Sequence, residues 1–222
     1  MYMKRTFLIG LLVLSAVFGA GLWVGFHMDR GDVDPQDYIE TVFTPYEDGL
    51  DHYLAFLDKA QKSVQIAAYS YTDPRVTDKL IELKTKRKVT VQVLLDLSQT
   101  RGWSGPSILA QAERLRAAGI EVVFGTSEKS KEIMHHKYTV ADGVWVEDGS
   151  WNYTKAADDQ ANAQNFMRSP KRAKLFLANW ERMYRFMKAQ EAQRALEPKS
   201  APADSDDGSA PKHKTPSRKK TK

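Results

Sequence analysis

The order of apolar and polar positions divides the chain into three zones. Phe7 to Phe26 carries no charged residue and is built mainly from Leu, Val, Ile, Phe, Gly and Ala, with Ser15 as a lone hydroxyl. About 20 apolar residues suffice to cross a bilayer as a helix, whereas a buried core helix shows polar positions on one face. Residues 1–28 therefore read as a membrane anchor or a signal peptide. The run is longer than most signal-peptide cores, which favours the anchor, although a small-x-small site lies at Gly19-Ala20-Gly21. Residues 29–40 form an acidic, Pro-containing linker. Residues 191–222 are rich in Pro, Ser, Asp, Ala and Lys, a composition that cannot bury enough apolar surface to order itself, so a disordered basic tail is expected.

Between these ends, residues 41–190 alternate between two periods. Leu50, Tyr53, Leu54 and Leu57 recur at helical spacing within Glu47 to Ala60. Val64 to Tyr71 is a mostly apolar strand that Asp73-Pro74 ends. Val76 to Leu83 reads as a helix and Val89 to Leu95 as a strand buried on both faces. Ser107 to Ala118 is a helix closed by Gly119, and Ile120 to Phe124 is the next strand. Lys137 to Val140 and Val144 to Glu147 flank Asp142-Gly143, a strong hairpin signal. Phe166 to Arg168 is a short strand, and Lys171 to Gln190 an amphipathic helix whose Leu175, Phe176, Trp180, Met183, Phe186 and Met187 should pack on the sheet. The expected fold is α/β: a mixed, largely parallel central sheet flanked by helices.

The net charge of +5 changes this picture little, because it comes from the ends. Lys4 and Arg5 supply +2, and the last 32 residues carry eight basic against five acidic groups, leaving 23 of each sign between. The high isoelectric point thus makes no case for nucleic-acid binding by the folded part. Two local features remain open. Lys84, Lys86, Arg87 and Lys88 form a basic run, read first as a solvated helix end and second as a phosphate contact. Arg101 and Trp103 sit in a Gly-rich loop after a strand, where a phosphate and a base would be within reach, or where the loop is plain surface. There is no cysteine, so disulfides, thiolate metal sites and cysteine nucleophiles are excluded.

The chemistry concentrates between His135 and Asn152. His135 is a nucleophile or proton carrier near neutral pH, and Lys137 is a compact cation suited to a phosphate oxygen. Ser150 and Asn152 offer neutral hydrogen-bonding groups. With Asp142 they form the spacing H-x-K, four residues, D, six residues, G-S-x-N. On a strand, residues two apart point the same way, so His135, Lys137 and Thr139 would share a face, and adjacent strands would bring the polar groups together.

This stretch resembles the phospholipase D superfamily signature at every fixed position, and is most similar to the small bacterial endonucleases that carry one motif per chain. The lack of cysteine separates it from animal mitochondrial members with a zinc module. The resemblance implies hydrolysis of phosphodiesters without a metal or other cofactor, through a phosphohistidine. It makes His135, Lys137 and Asp142 the catalytic set, with Lys137, Ser150 and Asn152 on the phosphate. Asp142 is expected to hold its turn rather than touch substrate. A second histidine must protonate the leaving group. His27, His52 and His213 lie in the apolar run, an outer helix and the tail, and His136 points away from His135, so a homodimer with one shared site is expected. Where related nucleases carry a glutamate that orients the histidine, this chain has Gln164, with Asp158 or Asp159 as substitutes. Nucleic acid is the expected substrate. Phospholipid is the alternative, given the apolar N-terminus, and a site impaired by Gln164 and kept for binding nucleic acid or lipid is a third reading. The basic flank before Phe7 and the acidic one after it place the body outside a bacterial inner membrane, facing the periplasm, or secreted if the segment is cleaved.

Overall fold

The computed structural model describes residues 38–129 and 132–196. The apolar run at Phe7 to Phe26 and the tail beyond residue 196 lie outside them. Among the described residues no helix is long and apolar enough to cross a membrane.

Seven strands form one sheet: β1 (Tyr38–Thr44), β2 (Ser63–Ala68), β3 (Thr90–Asp96), β4 (Glu121–Gly125), β5 (Lys137–Ala141), β6 (Trp145–Gly149) and β7 (Asn162–Arg168). Their order is β1-β7-β6-β5-β2-β3-β4. The helices are α1 (Gly49–Leu57), α2 (Pro74–Thr85), α3 (Gly105–Ala117) and α4 (Pro170–Leu196). Because strand side chains alternate faces, the core splits in two. On one face Val64, Ile66, Val91, Val93 and Phe166 pack against Leu50 and Phe56 of α1, Leu80 of α2 and Ile108 of α3. On the other, Ala67, Leu94, Val123, Tyr138 and Val140 pack against Trp180, Met183 and Met187 of α4. The Trp180 indole is buried and donates to the Ile66 carbonyl at 2.9 Å, so no polar atom of it is stranded.

Local chemistry explains where elements start and turn. Asp48 caps α1 by accepting from the Asp51 amide. Asp73 accepts from the Arg75 amide and side chain, with Pro74 opening α2. Asp142 and Gly143 both have positive φ, at 57° and 66°, which the tight turn between β5 and β6 requires.

Three expectations need correction. The sheet is mixed but not largely parallel: only β2–β3 and β3–β4 are parallel, while β1–β7, β7–β6, β6–β5 and β5–β2 are antiparallel. Parallel neighbours need a long crossover, which α2 and α3 provide, whereas a short turn imposes an antiparallel pair. The stretch read as linker ends earlier than expected, because Tyr38 to Glu40 already pair with β7 as part of β1. At the other end α4 runs six residues into the stretch read as disordered tail, ending at Leu196. Its last turns are good helix formers, and Arg194 reaches back to the Phe124 carbonyl at 2.5 Å.

Candidate active site

The ends of β2, β3 and β6 and the starts of β5 and β7 meet at one edge of the sheet, because β5 and β7 run opposite to β2. The segment before β5 is fastened there at three points. The Met134 amide donates to Asp96, the last residue of β3, at 2.6 Å. The Met134 side chain is buried. The His136 carbonyl accepts from the Tyr69 amide at 2.8 Å. His135, held between these anchors, lies just before the strand and remains open to solvent.

Tyr69 frames the imidazole from one side, with ring centroids 4.2 Å apart. Lys137, almost fully buried, frames it from another, with Nζ 3.4 Å from each ring nitrogen and 3.2 Å from the His135 carbonyl. The same ammonium lies 5.1 Å from the Tyr69 ring centroid, a cation–π distance. Loss of hydration and then the Lys137 charge lower the His135 pKa, against a smaller opposing pull from Asp96. Both effects favour the neutral imidazole, the form that carries a lone pair for attack. Burial also lowers the Lys137 pKa.

The other candidates divide. The Asn152 amide oxygen is buried without a hydrogen-bond partner, and Asn152 lines a hollow together with Tyr69, on the same edge as His135. An unpaired polar atom beside an open hollow suits a ligand donor. Ser150 is engaged with its own framework: its hydroxyl donates to Asn162 at 2.9 Å and accepts from the Ala163 amide at 3.2 Å. Gly149 allows that close approach, since a Cβ there would collide with the Ala163 carbonyl. The Asp142 carboxylate lies at the turn, where it accepts from the amides of Gln61, Lys62 and Ser63 at 2.7–2.9 Å. It ties the hairpin to the entry of β2. Asp142→Ala is expected to lower stability by about 2–3 kcal/mol, since three amides lose their acceptor and alanine is strained at positive φ. Asp142→Asn should lose about half as much, because one oxygen remains. Urea midpoints of the three proteins check this, and equal midpoints for native and Ala would refute it.

Gln164 does not orient His135. Its Nε2 donates to Glu147 at 3.1 Å, and its Oε1 is buried with no partner. Asp158 is also committed elsewhere, accepting from the Trp151 indole at 2.9 Å and the Leu50 amide at 3.2 Å. The residues that do hold the histidine segment, Tyr69 and Asp96, were not singled out in the sequence. An aspartate closing an apolar strand was the one available signal for Asp96. The basic run Lys84–Lys88 precedes β3 and so lies at the opposite sheet edge. Arg87 there binds the carbonyls of Asp58 and Ala60.

A three-layer α/β domain that holds an exposed histidine against a buried lysine at a sheet edge is equipped for attack on a phosphodiester. The chain belongs to the phospholipase D superfamily: the family model described as cardiolipin synthase, PLD-like domain, matches residues 53–184. It is 32% identical over 145 residues to the phospholipase D of Rickettsia conorii, covering 64% of this chain and 67% of that one. It is 28% identical over 143 residues to the mitochondrial cardiolipin hydrolase of Chlamydomonas reinhardtii, covering 63% and 59%. The crystal structure of Nuc, a phospholipase D family member from Salmonella typhimurium, superposes with a TM-score of 0.61 at 29% identity, over 68% of this chain and 95% of Nuc. NucT from Helicobacter pylori shares the fold, with a TM-score of 0.61 at 20% identity over 68% of this chain and 97% of NucT. The chain is accordingly a phosphodiester hydrolase of this superfamily.

Proposed function

We propose that the protein is a metal-independent nuclease of low sequence specificity that cleaves through a covalent phosphohistidine in a site shared by two copies of the chain. The carrying observation is that, among the described residues, His135 is the one histidine whose ring meets the Lys137 Nζ. Burial and the Lys137 charge lower the pKa of that imidazole. The His136 ring instead packs edge-on to Tyr138, on the α4 face. His52 pairs with Glu40 at 3.0 Å, on α1.

In the proposed reaction a His135 ring nitrogen attacks phosphorus, forming an N–P bond as the P–O bond to the leaving alcohol breaks. His135 of the second copy, protonated, gives its proton to the leaving oxygen. It then takes a proton from water, whose oxygen attacks phosphorus and releases His135. The Lys137 ammonium and the Asn152 Nδ2 amide group donate to the non-bridging oxygens as charge shifts onto them. A two-fold axis through the site makes the roles interchangeable.

The similarity to Nuc at 29% identity over nearly all of that protein supports the nuclease reading. The relatives named phospholipase D support phospholipid as the second substrate. Purified protein in excess chelator, offered plasmid DNA, RNA and phosphatidyl lipid, separates the two. Nucleic-acid cleavage that survives chelation is expected. Cleavage of lipid alone would overturn the nuclease reading, and loss of all activity on chelation would overturn the metal-independent mechanism. Anchorage through residues 7–26 would set this site near a membrane surface, and comparing the native chain in membrane and soluble fractions tests that.

A further inference from the structure

We propose that the sheet edge opposite His135 is a docking face for an anionic lipid bilayer, which leaves the catalytic edge turned outward into water. This goes beyond the nuclease reading and rests on the anchorage reading of residues 7–26.

The strand register shows where the chain enters the domain. Tyr38 pairs with Arg168, Arg168 with Trp145, Trp145 with Ala141 and Ala141 with Val64. This row crosses the sheet at the end away from His135, beside the start of β2. Eleven residues separate Phe26 from Tyr38, and fully extended they reach no more than about 40 Å. An anchor in residues 7–26 therefore tethers the domain by this edge. Strands of five to seven residues, rising about 3.3 Å each, set the His135 end roughly 20 Å beyond it.

The same edge gathers cations, although the folded part as a whole is balanced in charge. Lys62 precedes β2, and Lys84, Lys86 and Lys88 precede β3, its parallel neighbour. Lys62, Lys86 and Lys88 are exposed. None of the four lysines forms an ion pair among the described residues. Lys84 and Lys88 line one shallow hollow with Thr85 and Ala118, a place for a headgroup phosphate. Lys88 holds φ at 59°, a left-handed conformation that is strained for lysine. The carboxylates nearby are engaged: Asp58 pairs with Lys79 at 3.0 Å and Arg87 at 3.4 Å, Glu121 pairs with Lys188 at 3.3 Å, and Asp142 accepts three amides. Lysines are drawn to an anionic bilayer one by one, without a shaped pocket. Two other occupants fit less well. Substrate on this edge would lie roughly 20 Å from His135. The acidic stretch with Asp29, Asp32, Asp34 and Asp37 has the right charge, but it joins at β1. That strand stands four spacings from β2, about 19 Å. In a two-fold dimer both basic edges reach one bilayer when the catalytic edges converge obliquely.

The test uses the full chain, which has no cysteine of its own. Thr85→Cys and Ser107→Cys proteins each carry one donor dye, at the basic and the catalytic edge. They are reconstituted into vesicles of phosphatidylcholine, alone or with phosphatidylglycerol, with an acceptor dye on the headgroups. On the anionic vesicles, energy transfer from residue 85 should exceed that from residue 107. The excess should shrink on neutral vesicles, and in about 0.5 M salt, which screens charges beyond about 4 Å. Combining Lys62→Gln, Lys84→Gln, Lys86→Gln and Lys88→Gln should lower the docked-to-undocked ratio about five-fold per lysine. Hydrolysis of bis(p-nitrophenyl) phosphate by that protein should be unchanged. Equal transfer from the two edges, or more from residue 107, overturns the inference. So does an excess indifferent to lipid charge, salt and the four substitutions, the result expected if the acidic stretch before Tyr38 covers the edge. Flotation separates this from failure of the anchor. A native chain that floats with anionic vesicles alone, and is released by salt, lacks the anchor but keeps the docking face. A chain that floats with neither kind overturns both.

Discussion

A His135→Asn protein is expected to lose phosphodiester hydrolysis by about 10⁴-fold or more while remaining folded, because the reaction loses its nucleophile and its acid in one substitution. The ring is solvent-exposed, and the segment is held by Met134, Asp96 and the His136 carbonyl rather than by the imidazole. Folding therefore does not depend on it. A sharper result comes from mixing. If one site needs His135 from both copies, a randomised equal mixture of native and His135→Asn chains retains about one quarter of native activity, because only dimers with two intact histidines work. Independent sites would retain about one half. The rate measured against the fraction of native chain, on a co-refolded series, distinguishes a square from a straight line. A straight line would remove the shared site from the mechanism.

The second large effect is on stability and its pH dependence, and it centres on Glu147. This side chain is fully buried in β6. Its carboxyl receives the Gln164 amide at 3.1 Å and the Tyr153 hydroxyl at 3.0 Å. Thr139 links Tyr153 to Tyr53, at 3.1 and 2.8 Å, completing a buried chain of polar groups beneath Lys137. Loss of hydration pushes the Glu147 pKa up to about 8, with the hydrogen bonds from Gln164 and Tyr153 pulling the other way. The group is thus mostly protonated at neutral pH. Its unfolded value is about 4.5, so between roughly pH 4.5 and 8 the folded chain holds a proton that the unfolded chain has lost. Stability from this group is complete below that window, falls as pH rises through it, and levels off above.

Glu147→Gln removes the titration and keeps one acceptor and one donor. Native and variant proteins should unfold at similar urea concentrations near pH 5. At pH 9 the variant should be more stable, by a few kcal/mol. Parallel pH profiles would refute the assignment of a buried, raised carboxyl. Gln164→Glu tests the same site from the other side. It would set two carboxyls within hydrogen-bonding distance in a buried site, where one must stay protonated. The expected result is a less stable protein with a steeper loss above neutral pH. Restoring the glutamate of related nucleases is therefore not expected to act as a simple repair here.

The sequence by itself determined the features that depend on neighbours along the chain. The H-x-K and G-S-x-N spacing, the Asp142-Gly143 turn and the β2–α2–β3–α3–β4 alternation are all local, and each was readable from periodicity, turn chemistry or the signature. That His135, Lys137 and Asn152 would come to one end of the sheet was legible for the same reason, and so was the position of Asp142 at a turn. What the sequence did not reveal was which distant groups those residues would meet. Tyr69 is 66 residues from His135 and Asp96 is 38 from Met134. They join the site because the sheet inserts β5 antiparallel beside β2, with β3 next in order. The same long-range pairing gave Gln164 to Glu147 rather than to the histidine, and put the Lys84–Lys88 run at the wrong edge for substrate. Residue spacing encodes local direction, one turn or one strand face at a time. Burial, desolvation and the choice of hydrogen-bond partner arise only when separate segments pack, and those decided the protonation of Glu147 and the frame around His135.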